Sequence, residues 1–179
     1  MAANPNLNLG VSFFDAVTDT RTSAEGPSYP VGTKREQGGS VYRYVSMDAG
    51  ATAAVDGQLA FRVGGASNGP WVVTKTAANT APNLSCGVFQ SVIPASGYGW
   101  ILTKGIDTLV TSAVDDIAKG DAVIEALASA GTIRKQIVAT ADTAAAVLVQ
   151  SLLFVHVVGV AVDADDNSAD TCRVMVDLE

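Results

Sequence analysis

The sequence predicts an all-β fold: a small β-barrel or β-sandwich of short antiparallel strands, preceded by an extended N-terminal arm. Apolar and polar residues alternate over short runs, as they do in strands that bury one face. Turn residues separate these runs at intervals of about eight to twelve residues. Ala, Val, Gly, Thr and Ser dominate the chain and the helix formers Glu, Lys and Arg are scarce, which favours strands and tight turns.

Residues 1–39 are predicted to form the arm, because proline and glycine interrupt them too often for a helix of any length. A segment without a periodic pattern is usually disordered alone or ordered by a partner. Five apolar or aromatic residues in it are predicted to lie in an interface: Leu9, Val11, Phe13, Phe14 and Tyr29. The sequence leaves open whether the two phenylalanines pack on their own domain or on a neighbouring molecule.

Residues 40–179 are predicted to form the barrel or sandwich domain. The expected strands are 40–46, 58–63, 71–76, 87–93, 98–103, 110–114, 133–139, 155–162 and 171–178, with one more directly after Gly120-Asp121. Two hairpins are predicted, one around the turn at 94–97 and one that closes the chain. Residues 145–150 fit either a strand or a short helix capped by Asp142.

The charge balance argues against nucleic-acid binding. The chain has 18 acidic and 11 basic residues, a net charge of -7, and only 16% charged residues. Binding to phosphate backbones requires several cations on one face, and the densest basic spots are single pairs, Lys34-Arg35 and Arg134-Lys135. So few charges instead suit a protein that either hides much of its surface in an assembly or exposes small, neutral side chains.

No membrane partner is expected either. The N-terminal residues lack the basic and apolar regions of a signal peptide. The most apolar stretch, residues 144–162, is interrupted by Gln150, His156 and Gly159 and has no aromatic or basic anchors at its ends. Its β-branched residues favour a buried strand.

The sequence offers no coherent set of catalytic, cofactor-binding or metal-binding residues, so we expect no enzymatic activity. The single histidine, His156, lies among Val and Phe in a predicted strand. Cys86 and Cys172 match no metal motif and are expected to be small buried residues, although one disulfide between them is possible.

Two other groups of residues have a structural and a functional interpretation. The acidic stretch 163–170 resembles part of a calcium-binding loop, but Ser168 and Val174 stand where that loop needs Gly and Glu, so a solvated hairpin loop is the better interpretation. Aromatic residues could stack on a sugar or a base, but on β-hairpins they more often pack in the core; they are Trp71, Phe89, Tyr98 and Trp100.

Residues 87–105, GVFQSVIPASGYGWILTKG, resemble a hairpin of small head proteins of tailed phages, the decoration, cement or capsid-stabilising proteins. In those proteins similar segments precede and follow the hairpin; here these are residues 42–45, 49–57, 120–121 and 158–161. The resemblance extends over residues 32–178. The chain departs from the family's pattern in the arm before Pro30 and in an insertion at residues 74–82.

The resemblance implies a structural virion protein on the outer surface of an icosahedral phage capsid, made in the host cytoplasm. Its partners would be other copies of itself, as a homotrimer, and the major capsid protein, whose neighbouring subunits it would clamp together. Two alternatives stay open. One is another structural role in the virion, such as a head fibre base or a tail component. The other is a carbohydrate-binding module that uses Trp71 or Trp100.

Overall fold

A computed structural model of the protein describes residues 16–63, 69, 71–76, 85–111, 116–126, 130–136, 157–165 and 170–178. All regular elements in these residues are strands, which confirms the predicted all-β class. They are β1 (Lys34–Gln37), β2 (Ser40–Met47), β3 (Leu59–Arg62), β4 (Val72–Thr74), β5 (Ser85–Phe89), β6 (Tyr98–Val110), β7 (Ala122–Glu125), β8 (Ile133–Lys135), β9 (Val157–Ala161) and β10 (Thr171–Asp177).

Five strands close into a barrel in the order β2-β4-β3-β5-β6, with β6 pairing back to β2. Strands β2 and β4 pair in parallel, and the other four pairings are antiparallel. Every barrel strand contributes to one buried cluster, which includes Val45, Met47, Ala60, Val73, Phe89 and Ile101. This cluster is the barrel interior, and of the two predicted architectures the structure adopts the barrel.

Strand β6 is long enough to belong to the barrel and to the rest of the sheet. Its first half pairs with β2 and β5, and its second half, from Lys104 to Val110, pairs with β10. The sequence predicted two separate strands here, 98–103 and 110–114, and the structure corrects this to one strand that ends at Val110. The strand continues through Gly105, which has a φ of 139°, and the β2–β6 register shifts just before it, between Val41 and Tyr42. Residues 112–114 lie outside the described residues.

Beyond β6, the sheet continues through β10, β9, β7 and β8. These strands pack a second buried cluster against the outer wall of the barrel, where Leu59, Phe61, Val88 and Leu102 meet Val123, Val158, Val174 and Val176. Leu59 and Phe61 flank Ala60, which belongs to the interior cluster. Because side chains alternate along a strand, one wall of the barrel contributes to two cores.

Both predicted hairpins are present: β5 pairs with β6, and β9 pairs with β10. The sequence missed β1, which lies inside the segment predicted as an arm and pairs with β2. Its residues, KREQ, are charged or polar and mostly exposed, so they give no apolar signal.

The apolar stretch 144–162 is described only from Val157 onwards, where it forms β9. Among the described residues, no helix has the length and apolar character needed to span a bilayer. Asp142 and the strand-or-helix segment 145–150 lie outside the described residues.

Gly159 of β9 provides a test of the pairing between β9 and β10. A Cβ at this position would collide with the backbone carbonyl of Met175 and lie 2.9 Å from a methyl carbon of Val174. We expect Gly159→Ala to lower the free energy of unfolding by about 2 kcal/mol. Gly69→Ala is the control, because nothing lies within 4 Å of its Cβ position. Equal urea midpoints for the two variants would contradict the described pairing.

Asp107 of β6 makes stability depend on pH. Its carboxylate accepts hydrogen bonds from the Gln90 side chain and the Thr108 amide, but burial raises its pKa above the ordinary value of 3.8. The folded state therefore binds a proton more readily than the unfolded state, and stability falls as pH rises from about 4 through the raised pKa.

We expect Asp107→Asn to remove this pH-dependent loss of stability, because the asparagine side chain does not ionise. The gain in unfolding free energy of the variant over wild type should grow between pH 3.5 and pH 7 in urea titrations. Glu36→Gln, at an exposed carboxylate, controls for the loss of one negative charge. A gain that is the same at both pH values would show that burial of the Asp107 charge costs no stability.

Candidate docking surfaces

Tyr29, a predicted interface residue, lies half-buried against the outer wall of the barrel. Its ring centroid is 5.3 Å from that of Tyr44 in β2 and 5.3 Å from that of Trp100 in β6. Tyr44 and Trp100 are direct partners in the β2–β6 register, and the ring of Tyr98 stacks at 6.4 Å from Tyr44. We call these four residues the aromatic cluster. Tyr44 and Trp100 are 1% and 2% exposed, so the cluster works mainly as packing.

Backbone hydrogen bonds hold the segment that carries Tyr29 to the barrel. The amide of Arg21 donates to the carbonyl of Tyr98 at 2.9 Å, and the amide of Tyr98 donates back at 2.8 Å. The amide of Ser28 donates to the hydroxyl of Tyr44, and that of Gly32 donates to the Tyr44 carbonyl. Residues 16–33 of the predicted arm therefore lie on the barrel. The other predicted interface residues, Leu9, Val11, Phe13 and Phe14, lie outside the described residues.

A cavity of about 250 Å³ opens beside the aromatic cluster, lined by Asp19, Thr20, Arg21, Ser28, Tyr29, Tyr44 and Trp100. Its charged groups already have partners within the chain. The guanidinium of Arg21 donates to the hydroxyl of Ser28 and lies 3.8 Å from the carboxylate of Glu25, and Asp19 accepts a hydrogen bond from the amide of Ala16. The cavity consequently presents little free charge to a ligand.

The carbohydrate-binding alternative depends on an open ring face at Trp71 or Trp100. Trp100 is buried in the aromatic cluster and has no open ring face for a sugar. Over the ring of Trp71 lie the guanidinium groups of Arg43 and Arg62, at 4.9 Å and 4.3 Å from its centroid. Phe89 is fully buried in the barrel interior. The packing interpretation therefore holds for Phe89 and Trp100, and cations compete with any ligand for the ring of Trp71.

The outer surface of the sheet carries a row of three exposed apolar side chains on adjacent strands. Ile106 of β6 pairs with Met175 of β10, and Met175 pairs with Val160 of β9. Their exposures are 53%, 53% and 39%. Single exposed apolar residues are ordinary, but three in register form a contiguous patch, which makes this surface a candidate interaction site. We call this surface the β6–β10–β9 face.

Charged pairs border the β6–β10–β9 face on both sides of the row. Lys104 and Asp177 form an ion pair of 3.7 Å at one side. Arg173 and Asp163 form one of 2.8 Å at the other. An apolar centre with a charged rim is the usual anatomy of a protein–protein interface.

The two edge strands of the sheet are unsuited to strand addition. In the sheet order, β1 and β8 are the terminal strands, and β8 is partly covered because Ile133 forms an isolated parallel bridge with Thr111. Strand β1 carries Lys34, Arg35 and Glu36, and β8 carries Arg134 and Lys135. Charged residues on an edge oppose pairing with another chain, so association through a sheet face is favoured over association through an edge.

The thiols lack the properties of nucleophiles. Cys86 and Cys172 are both free, buried and in different core clusters, so the possible disulfide is not formed. Burial raises the pKa of Cys86 to about 12, and burial together with nearby aspartates raises the pKa of Cys172 to about 11. Both thiols are protonated at neutral pH, whereas a nucleophilic or metal-binding cysteine needs the thiolate.

The residues considered for metal binding are only partly described. Within the described ranges, no group of three or more His, Cys, Asp or Glu is placed to hold a metal ion. In the acidic stretch, Asp163 bonds to Arg173, and Asp165 accepts a hydrogen bond from the hydroxyl of Thr111. His156 and residues 166–169 lie outside the described residues.

Replacing Tyr29 tests how the segment before β1 is attached. We expect Tyr29→Ala to expose Trp100 and to increase tryptic cleavage after Arg21, because the ring that covers the cluster is lost. In a Trp71→Phe background all tryptophan emission comes from Trp100, and it should shift to longer wavelength. Tyr29→Phe keeps the ring and is the control. Unchanged emission and cleavage in Tyr29→Ala would contradict this attachment.

Comparisons with known proteins give similarity to solved structures and no sequence relative. Neither a protein-family match nor a curated relative is found for this chain. The fold is similar to a crystal structure described as the head fiber gp8.5 N base in bacteriophage phi29. The two share 13% sequence identity with a TM-score of 0.46, over 78% of this chain and 96% of that chain.

Proposed function

We propose that this chain is a structural protein of a tailed-phage virion that binds the outside of the icosahedral capsid and clamps neighbouring major capsid subunits. The observation that carries the proposal is the exposed apolar row with a charged rim on the β6–β10–β9 face, which suits contact with another protein of an assembly, a sister copy included. The resemblance to phage decoration proteins supports it, because its main motif, residues 87–105, forms the β5–β6 hairpin of the barrel.

Binding to an assembled shell explains how such a protein stabilises it. A protein that binds the shell but not the free subunits shifts the equilibrium towards the shell by mass action. In a homotrimer, the association that the resemblance implies, the second and third contacts become intramolecular and overall binding is strengthened. No catalytic step and no cofactor are part of this function.

The arm contributes contacts beyond the barrel in this proposal. Leu9, Val11, Phe13 and Phe14 precede a segment that the reciprocal hydrogen bonds between Arg21 and Tyr98 fix to β6. Through this anchor, a contact made by the arm on a capsid subunit or a sister copy is connected directly to the sheet. An extended segment can cover a long stretch of a neighbour with few residues, at the cost of the ordering entropy.

The decisive experiment is binding to capsids that lack this protein. We expect the variant Leu9→Ala/Val11→Ala/Phe13→Ala/Phe14→Ala to bind at least about tenfold more weakly in co-sedimentation, since four apolar contacts are truncated. The control is Val55→Ala/Val92→Ala, which truncates exposed apolar residues outside the arm. The urea midpoint of each variant should stay that of wild type.

Three results would count against the proposal. Absence of wild-type binding to capsids would remove the capsid as the partner. Equal binding by the two variants would exclude the arm as a docking element. Specific binding of the isolated protein to a glycan array, lost on replacement of Trp71, would favour the carbohydrate-binding alternative.

A further inference from the structure

We propose that the β6–β10–β9 face binds the same face of a second copy of this chain, around a two-fold axis that runs along the apolar row. This contact differs from the three-fold association implied by the resemblance. It rests on the strand register and the charges of this chain, independently of the proposed function.

The direction of the row determines which side chains meet. Ile106, Met175 and Val160 are paired across three adjacent strands, so the row runs perpendicular to the strands. A two-fold axis along the row, in the plane between two facing sheets, places each row residue opposite its own copy. The six apolar side chains of two copies then form one strip of buried contact.

The same axis makes the charges complementary. Arg173 and Asp177 lie two residues before and two residues after Met175, about 7 Å to each side of the row. Rotation about the row reverses the strand direction, so Arg173 of one copy faces Asp177 of the other, twice in each dimer. A surface that meets its own copy must be self-complementary in this way, and these charges satisfy the requirement.

The intramolecular ion pairs extend each cross-copy pair into a network of four charges. Arg173 is already paired with Asp163, and Asp177 with Lys104. Facing copies bring the two pairs together as Asp163, Arg173, Asp177 and Lys104, with alternating sign. Each side of the row carries one cation and one anion, so a uniformly charged partner would gain no net attraction at either side, whereas a second copy sets opposite charges against Arg173 and Asp177.

Cross-linking of single-cysteine variants tests the contact in the free protein. Facing sheets lie about 10 Å apart, too far for a direct disulfide, so a short bismaleimide is the reagent. The native thiols are buried, so wild type should give no product. We expect Met175→Cys to give covalent dimers in at least tenfold higher yield than Val92→Cys, whose side chain is equally exposed, at 56% against 53%, but lies off the face.

Cross-linking between two different cysteine variants tests the predicted register of the two copies directly. Lys104 and Thr108 flank Ile106 on β6. The two-fold axis therefore sets Thr108 of one copy opposite Lys104 of the other. A mixture of Thr108→Cys and Lys104→Cys chains should cross-link to each other and only weakly to themselves. Cross-linking within each variant as efficient as in the mixture would overturn the two-fold arrangement.

Replacing the central residue tests the energetics. Met175→Asp places a carboxylate opposite its own copy, and we expect the association constant from sedimentation equilibrium to fall at least tenfold, with Val92→Asp unchanged.

Two results overturn the proposal: a Met175→Cys yield equal to that of Val92→Cys, or an association constant that Met175→Asp leaves unchanged. If Met175→Asp abolishes capsid binding while Met175→Cys chains fail to cross-link, the face binds the capsid and the second copy is excluded. Because the cross-linking needs no capsid, its failure leaves the proposed function standing.

Discussion

The structure depends on one continuous strand. Strand β6 is thirteen residues long. It completes the barrel by pairing with β2 and β5, and its second half pairs with β10, where the rest of the sheet begins. Because backbone hydrogen bonds connect both parts through the same strand, the barrel cannot rotate against the outer strands without breaking that ladder. Glycine at position 105 makes this continuous strand possible, because a Cβ there would collide with the side chain of Ser40.

The alternation of side chains converts this single sheet into several surfaces. Along β3, β5 and β6, alternate residues fill the barrel interior. The residues between them pack against the outer strands or, like Trp100, belong to the aromatic cluster. Along β10, the inward residues Cys172, Val174 and Val176 are buried, which leaves Arg173, Met175 and Asp177 facing outward. The core and the proposed contact surface are thus two sides of the same strand.

The distribution of charge distinguishes the edges of the sheet from its outer face. Charged residues on β1 and β8 protect the sheet edges, and the face of β6, β10 and β9 has apolar residues at its centre and ion pairs at its rim. A contact through this face, as proposed, requires no pairing at the sheet edges. The two cysteine thiols are buried in the two cores, and burial raises the pKa of both.

The sequence by itself determined the all-β class, the two hairpins and most strand positions, because alternation and turn residues act over a few neighbouring residues. Only the tertiary structure decided which strands close the barrel, that β6 runs through Gly105, and that the polar segment KREQ becomes a strand. It alone also brought Tyr29 onto Trp100 and placed Ile106, Met175 and Val160 side by side. These contacts join residues far apart in the chain, and pairing register is fixed by the balance of burial over the whole sheet, which no local pattern contains.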